Sequence, residues 1–177
     1  FCINFLKNYI EDNSKVLDIA CGTGIFLKKI KNKKADLQLF GIDISNRMIS
    51  IAKKNPDGIN FSVADAEKVP FGNNSFDFIT IIDAFYYFQN KEAALKECYR
   101  VLKLNHYLFL FYLGADIFPK FVFKQIQIDS RLFLYNTEEY STFPNMDELE
   151  KMAGVANLKL VVKEMKMMHR FILLKKE

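Results

Sequence analysis

The sequence of 177 residues contains no tryptophan and only three cysteines. Cys2, Cys21 and Cys98 are an odd number and lack the spacing of a zinc site. These absences exclude a domain built on disulfides and give no reason to predict a bound metal. Free cysteines are typical of a reducing compartment, so we expect a cytoplasmic protein.

Long apolar runs are absent as well. No run reaches the roughly 18 residues that a membrane-spanning helix needs, because aspartates interrupt the longest candidates, Phe76–Phe88 and Tyr107–Phe118. The sequence also lacks the pattern of a secretion signal. It begins with Phe1 instead of Met, and we therefore expect that an N-terminal piece, such as a lid, is missing.

The sequence also lacks a strong excess of charge of one sign, since its net charge is only +4. Five lysines do cluster, namely Lys28, Lys29, Lys31, Lys33 and Lys34. Cations suit the C-terminal end of a helix, so we interpret this cluster as a solvated helix end. A nucleic-acid surface is the less favoured interpretation.

What the sequence does contain is enough for one domain with a sizeable core, since half of it is hydrophobic and 18 residues are phenylalanine. The apolar spacing alternates between that of helices and that of strands. The predicted strands are Lys15–Ala20, Leu37–Asp43, Ile59–Ala64, Phe76–Ile82 and Tyr107–Leu113, and the predicted helices are Cys2–Glu11, Gly24–Lys31, Ser45–Lys54 and Lys91–Leu102. Apolar strands that alternate with helices indicate a parallel sheet with helices on both faces.

Within the helices, the residues expected to face the sheet are Ile25, Phe26 and Ile30 in one and Met48, Ile49 and Ala52 in the next. The segment Pro119–Phe143 is irregular and aromatic. Asn145 begins a capping-box pattern, which predicts a short helix to Ala153. Leu158–Lys163 and Met167–Leu174 predict a closing antiparallel hairpin, so we expect 1–177 to be a single domain.

The first predicted strand ends in the stretch VLDIACGTGIF, in which an acid precedes a glycine turn. Ligands of parallel sheets bind beyond the carboxyl ends of the strands, and Gly22 and Gly24 would let the backbone approach a ligand closely. Leu27 stands where the dinucleotide fingerprint requires a third small residue. The carboxylate of Asp18 beside this turn also suits a ligand that bears a cation better than it suits a pyrophosphate.

The next two predicted strands also end in acids. Asp43 is placed to accept both hydroxyls of a ribose, and its alternative role, capping the next helix, is already filled by Ser45. Asp65 could accept a hydrogen bond from an adenine amino group, and the Ala66 N–H could reach a ring nitrogen. A glycine turn, an acid that can bind a ribose and a pair of residues that can bind an adenine follow the first three strands in this order. Together they indicate a nucleoside ligand.

With these motifs the sequence resembles a class I S-adenosylmethionine-dependent methyltransferase, of the small-molecule group that includes the ubiquinone/menaquinone C-methyltransferases. The stretches that carry the resemblance are LDIACGTG, Asp43, Asp65-Ala66, FDFITIIDAFYYF, ALKECYRVLKLNHYLFLF and MDELEKMAGVANLKLV. Ala20 and Asn105-His106 depart from it, because glycines are more usual there. The resemblance implies a three-layer Rossmann-like α/β sandwich with a mostly parallel seven-stranded sheet, order 3-2-1-4-5-7-6, with strand 7 antiparallel.

The resemblance also implies a cofactor and the residues that hold it. S-adenosylmethionine would donate its methyl group by in-line displacement and leave as S-adenosylhomocysteine. The implied cofactor-binding residues are Asp18, Ala20, Cys21, Gly22, Gly24, Asp43, Ile44, Met48, Asp65, Ala66 and Ile82. Asp18 would help to hold the methionine end, through its ammonium group or a water molecule.

The catalytic residues are less well defined. Asp83, Tyr86 and Tyr87 follow the fourth strand on the loop that should face the methyl group, and one of them could take a proton from the acceptor. Packing beneath a cap is the favoured alternative for this loop. A nucleophilic role for Cys21 is disfavoured, because no nearby base is identifiable.

The acceptor is expected to be a small molecule. The loop after the fourth strand lacks the signatures of nucleic-acid methyltransferases, which disfavours a nucleic-acid substrate. Pro119–Phe143 is expected to be a substrate cap for an apolar or ring-bearing acceptor, although its aromatic side chains are equally compatible with core. A nucleotide-binding protein without methyl transfer and an NAD-binding dehydrogenase remain the alternative functions.

Overall fold

The computed structural model describes residue 3 and residues 6–113, 144–166 and 169–177. Its elements are β1 (Lys15–Ile19), α1 (Ile25–Lys31), β2 (Gln38–Asp43), α2 (Asn46–Ala52), β3 (Asn60–Val63), β4 (Phe76–Ile82), a 3-10 turn (Phe85–Tyr87), α3 (Lys91–Val101), β5 (Leu102–Leu113), α4 (Met146–Val155), β6 (Leu158–Lys166) and β7 (His169–Lys176). The predicted cap Pro119–Phe143 lies outside the described residues. So does part of the predicted helix Cys2–Glu11, within which Leu6 and Ile10 are buried.

The strands form one sheet of seven in the order β3-β2-β1-β4-β5-β7-β6. All neighbours from β3 to β5 pair in parallel, whereas β7 is antiparallel to both β5 and β6. The predicted fold class, strand order and orientation of the last strand are therefore confirmed. None of the helices in the described ranges has the length and apolar character needed to cross a bilayer.

Both faces of the sheet are covered because its central strands are apolar on both sides. Leu27 and Ile30 of α1, with Ile49 of α2, pack on one face. Leu95 of α3 and Leu149 of α4 pack on the other face. Since both faces are buried, polar side chains that bind a ligand are left to the edges of the sheet, where the strands end.

Two residues expected to face the sheet do not do so. Ile25 is 59% exposed and Met48 is 38% exposed, so those predictions are wrong. In α1 the buried residues are Leu27 and Ile30. Because a helix turns about 200° over two residues, Ile25 lies nearly opposite Leu27 and faces away from the sheet. Met48 lies in the first turn of α2, at the edge of the sheet, where it lines a cavity.

Strand β5 begins at Leu102, five residues before its predicted start at Tyr107. Its pairing with β4 shifts between Phe76, which is opposite Leu102, and Phe78, which is opposite Tyr107. Two steps along β4 therefore correspond to five along β5, and Asn105 in the extra loop has a left-handed φ of 65°. This irregularity hides the first half of the strand from an alternation pattern.

A buried lysine joins the end of β7 to the end of α3, the start of β5 and the turn before β4. The Lys176 Nζ donates hydrogen bonds to the carbonyl oxygens of Tyr99 (2.8 Å) and Leu102 (2.9 Å) and to Asn74 Oδ1 (2.8 Å). Its side chain is almost fully buried. The two carbonyls lie at the C-terminal end of α3, where the helix dipole favours a cation.

We predict that Lys176→Met lowers the free energy of unfolding by about 2–4 kcal/mol, because it leaves these buried acceptors without their donor. Urea denaturation measures the loss. Lys175→Met is the matched control, since it removes the same charge from a half-buried neighbour. Equal losses for the two variants would contradict a specific role of Lys176.

Candidate functional site

A cavity of about 580 Å3 opens at the carboxyl edge of the sheet, a volume typical of small-molecule sites. Residues at or beyond the carboxyl ends of β1, β2, β3 and β4 line it: Ala20, Gly22, Asp43, Ile44, Ser45, Met48, Ala64, Asp65, Ala66, Glu67, Ile82, Asp83, Ala84, Tyr87, Phe88 and Gln89. Its position is the one expected for ligands of a parallel sheet.

The structure brings most of the predicted cofactor-binding residues together. Those that line the cavity are Ala20, Gly22, Asp43, Ile44, Met48, Asp65, Ala66 and Ile82, and those outside the lining are Asp18, Cys21 and Gly24. The lining residues that the sequence analysis missed are Ser45, Ala64, Glu67, Ala84, Phe88 and Gln89. These missed residues are close in sequence to predicted ones. Their position in the same loops at the strand ends is the feature from which they could have been predicted.

The turn after β1 places backbone against the cavity. Ala20 and Gly22 both have left-handed φ angles, 58° and 55°. A Cβ atom added to Gly22 would meet no other atom within 4 Å, so the space beside it is open to a ligand. The turn is held in place by the Cys21 N–H, which donates to the Ile42 carbonyl at 2.9 Å.

Gly24 has a different reason to be glycine. A Cβ atom there would lie 2.5 Å from Cζ of Phe61, and its φ is 75°. The packing of β3 against the start of α1 therefore requires Gly24, independently of any ligand.

Cys21 is also buried, and burial raises the pKa of its thiol, which argues against a nucleophilic thiolate.

Asp43 is fixed by two backbone amides. Its Oδ2 accepts the N–H of Gly22 at 2.9 Å, and its Oδ1 accepts the N–H of Ser45 at 2.8 Å. The Ser45 hydroxyl caps α2 by accepting the Met48 N–H at 3.3 Å. Each carboxylate oxygen has a further lone pair, so Asp43 can still accept hydrogen bonds from a ligand.

A tight turn follows β3. Asp65 Oδ1 accepts the N–H of Glu67 at 2.9 Å, and the Asp65 carbonyl accepts the N–H of Lys68 at 3.1 Å. The preceding Ala64 N–H donates to the Asp43 carbonyl at 3.0 Å. Asp65 and Ala66 consequently lie beside Asp43 at the cavity, in the order along the sheet that the motifs predicted.

The candidate catalytic residues are divided between the cavity and the core. Asp83 and Tyr87 line the cavity, whereas Tyr86 is buried with its ring 4.3 Å from that of Tyr87. The Asp83 N–H donates to the Phe111 carbonyl at 2.7 Å, which ties this loop to β5. Tyr86 thus packs in the core, whereas Asp83 and Tyr87 are at the cavity.

The cavity is acidic. Four carboxylates line it, those of Asp43, Asp65, Glu67 and Asp83, and no lysine, arginine or histidine belongs to the lining that the described residues form. Acidic walls attract cations and repel phosphate groups. The arrangement therefore favours a ligand with a positive centre over a dinucleotide.

A further carboxylate lies beneath the turn after β1. Asp18 is 2% exposed, and the Thr80 hydroxyl donates to its Oδ1 at 2.7 Å. Burial raises the pKa of Asp18 from an ordinary 3.8 to about 7, against the opposing effect of the Thr80 hydrogen bond and with a small addition from the charge of Asp43. Near neutral pH this carboxyl is poised between its neutral and ionised forms.

We predict that Asp18→Asn stabilises the protein at high pH. Because the pKa of Asp18 is higher in the folded state, its contribution to stability is fully present below pH 3.8 and is lost as the pH rises to about 7. The difference in unfolding free energy between the variant and the unmodified protein should grow in favour of the variant by about 2–3 kcal/mol from pH 5 to pH 8. Asparagine keeps an oxygen that can accept the Thr80 hydroxyl.

Denaturant titrations at the two pH values measure this gain. Asp12→Asn serves as the control, since it makes the same substitution at a side chain that is largely exposed. An Asp18→Asn effect that is identical at pH 5 and pH 8 would mean that Asp18 ionises normally.

Comparison with known proteins gives a consistent result. Residues 17–110 match the family described as "Methyltransferase domain". The demethylmenaquinone methyltransferase of Thermotoga maritima is 43% identical over 89 residues, which are 50% of this chain and 39% of that protein. The ubiquinone/menaquinone biosynthesis C-methyltransferase of Rickettsia bellii is 32% identical over 174 residues and is aligned with 84% of this chain and 69% of its own length.

Solved structures share the fold. An S-adenosylmethionine-dependent methyltransferase from Methanosarcina mazei superposes with a TM-score of 0.78 at 22% identity, covering 97% of this chain and 96% of the other. One from Aquifex aeolicus gives a TM-score of 0.76 at 19% identity, covering 98% and 88%. The family match and the Rickettsia relative confirm the predicted family, and the chain belongs to the class I S-adenosylmethionine-dependent methyltransferases.

Proposed function

We propose that this protein binds S-adenosylmethionine in the cavity at the carboxyl edge and transfers its methyl group to a small, ring-bearing acceptor. The observation that carries the proposal is the cavity itself, with four carboxylates and, within the described lining, no cationic side chain. The cofactor bears a sulfonium and an ammonium group, both positive, and supplies the activated methyl group. The chain's own task is to bind, orient and shield the reactants.

The residues present fit the parts of this cofactor. Asp43 would accept the ribose hydroxyls, and Asp65 with the Ala66 N–H would contact the adenine. Ile44, which follows β2, and Ile82, the last residue of β4, offer apolar surface in the cavity lining. The open backbone at Gly22 would face the methionine end, and a cation there would favour the ionised form of Asp18, which lies beneath it.

An NAD-binding dehydrogenase fits less well. Its pyrophosphate would bring negative charge to a cavity that is already acidic. Leu27, at the third position of the dinucleotide fingerprint, is fully buried in the core, where it fills space against the sheet. The second alternative is nucleoside binding without methyl transfer. A measurement of methyl transfer to an acceptor distinguishes it from the proposed function.

The acceptor side of the cavity is formed by the loop after β4. Ala84, Tyr87 and Phe88 give it an apolar, aromatic wall, and Tyr87 is half exposed. Aromatic walls suit planar rings. Since the two relatives above are named for methylation in menaquinone and ubiquinone biosynthesis, we propose a quinone-precursor ring as the acceptor, with the aromatic segment Pro119–Phe143 as its cap.

The first test concerns the cofactor. Titration calorimetry should detect binding of S-adenosylmethionine and S-adenosylhomocysteine but not of NAD. Asp43→Asn should weaken both tenfold or more, because hydrogen bonds to a charged group contribute roughly 1.5–3 kcal/mol each. Asp12→Asn is the control for the lost charge. Unchanged affinity in Asp43→Asn, or binding of NAD at similar strength, would refute this assignment.

The second test concerns the acceptor and Asp83. We expect the protein to methylate the reduced form of demethylmenaquinone, whose two ring hydroxyl groups make the unsubstituted ring carbon nucleophilic. Asp83 would take the proton that this carbon loses when it gains the methyl group. Asp83→Asn should then lower kcat about a hundredfold and leave the affinity for S-adenosylhomocysteine unchanged. Retained turnover in the variant would exclude Asp83 as the base, whereas no turnover in the unmodified protein would exclude this acceptor.

A further inference from the structure

A hydrogen bond connects two walls of the cavity that belong to different strand-end loops. Glu67 lies in the turn after β3, and its Oε1 accepts the N–H of Asn90 at 2.7 Å. Asn90 caps α3, since its side chain accepts the Ala93 N–H at 3.0 Å. Gln89, immediately before it, lines the cavity. The carboxylate of Glu67 therefore fastens the turn after β3 to the start of α3.

Glu67 is also bonded to Asp65 through its backbone. The Glu67 N–H donates to Asp65 Oδ1 at 2.9 Å. The orientation of the Asp65 carboxylate thus depends on the position of the Glu67 backbone, and that position is held by the bond of the Glu67 side chain to Asn90. Asp65 itself is exposed to solvent, so surrounding side chains do not enclose it.

The far end of the turn has an anchor of its own. The Val69 N–H donates to Glu97 Oε2 at 2.8 Å, and Arg100 donates to the Val69 carbonyl at 2.8 Å. Val69 is buried in the core. Loss of the Glu67 side chain should consequently loosen residues 65–68 and leave the fold beyond Val69 intact.

We propose that Glu67 is a positioning residue that holds Asp65 and Ala66 in the orientation that reads adenine, and that it thereby sets the preference for adenine over other purine bases. This inference rests on the proposed function. Without the bond to Asn90, residues 65–68 adopt more conformations when the cavity is empty, and binding must order them again. The cost of that ordering appears as lost affinity and as lost discrimination at the base.

Substitutions of Glu67 separate a positioning role from direct contact with the ligand. Glu67→Gln keeps an oxygen that can accept the Asn90 N–H, so its affinity for S-adenosylhomocysteine should stay within about twofold. Glu67→Ala removes the acceptor and should weaken binding about tenfold. Glu92→Ala is the matched control, because it removes the same charge from an exposed site in the first turn of α3, outside the cavity lining.

Selectivity for the base gives a readout that a purely structural role would not change. The ratio of affinities for S-adenosylhomocysteine and S-inosylhomocysteine, in which a carbonyl replaces the adenine amino group, should fall towards one in Glu67→Ala. The ratio should be preserved in Glu67→Gln, where neither affinity changes much. It should also be preserved in Asp18→Asn, where any change affects both affinities equally. Hydrogen exchange of the Asn90 amide should also be faster in Glu67→Ala than in Glu67→Gln.

Each remaining outcome overturns the inference in a recognisable way. Equal losses in Glu67→Gln and Glu67→Ala would show that the charge of Glu67 contacts the ligand. Unchanged affinity and selectivity in Glu67→Ala would show that the bond to Asn90 has no role in recognition. If the unmodified protein binds neither S-adenosylhomocysteine nor S-adenosylmethionine, the proposed function itself has failed and this inference fails with it.

Discussion

The carboxylate of Asp43 is the contact on which the geometry of the cavity depends. It accepts the N–H groups of Gly22 and Ser45, and the backbone carbonyl of the same residue accepts the N–H of Ala64. One residue thereby joins the turn after β1, the start of α2 and the end of β3. A ligand that binds Asp43 meets an acid whose position is already fixed, so little conformational entropy remains to be lost on binding.

Asp18 shows the cost of building such a site on a buried sheet. Asp18 is buried in β1, two residues before Ala20 of the cavity lining, and a carboxylate there loses the hydration that would stabilise its charge. The low dielectric that destabilises the ionised form also strengthens its attraction to a cation. Asp18 thus lowers the stability of the free protein, whereas it would raise the affinity for a positively charged ligand. Such a balance between stability and function is common at binding sites.

The sequence predicts the sheet better than it predicts the site. Apolar strands, the Ser45 cap and the capping box at Asn145 leave local signals, and the structure has all of them. Gly24 and Glu67 depend instead on partners distant in the sequence. Gly24 is required by the ring of Phe61, and Glu67 by a backbone N–H 23 residues away, so no local pattern reveals either role. Strand-end acids are predictable; what holds them in position is a property of the folded chain.

Backbone amides explain how the cavity remains acidic and still folds. Asp43 is bonded to two N–H groups, Asp65 to one and Glu67 to one. Amide dipoles stabilise carboxylates without cancelling their charge, whereas a lysine or arginine in the lining would neutralise the site and occupy it. Two of these amides belong to helix starts, Ser45 at α2 and Asn90 at α3, where N–H groups lack partners within the helix. The starts of α2 and α3 therefore stabilise acids of the cavity, and the negative charge of the lining that the described residues form stays available to attract a cationic ligand.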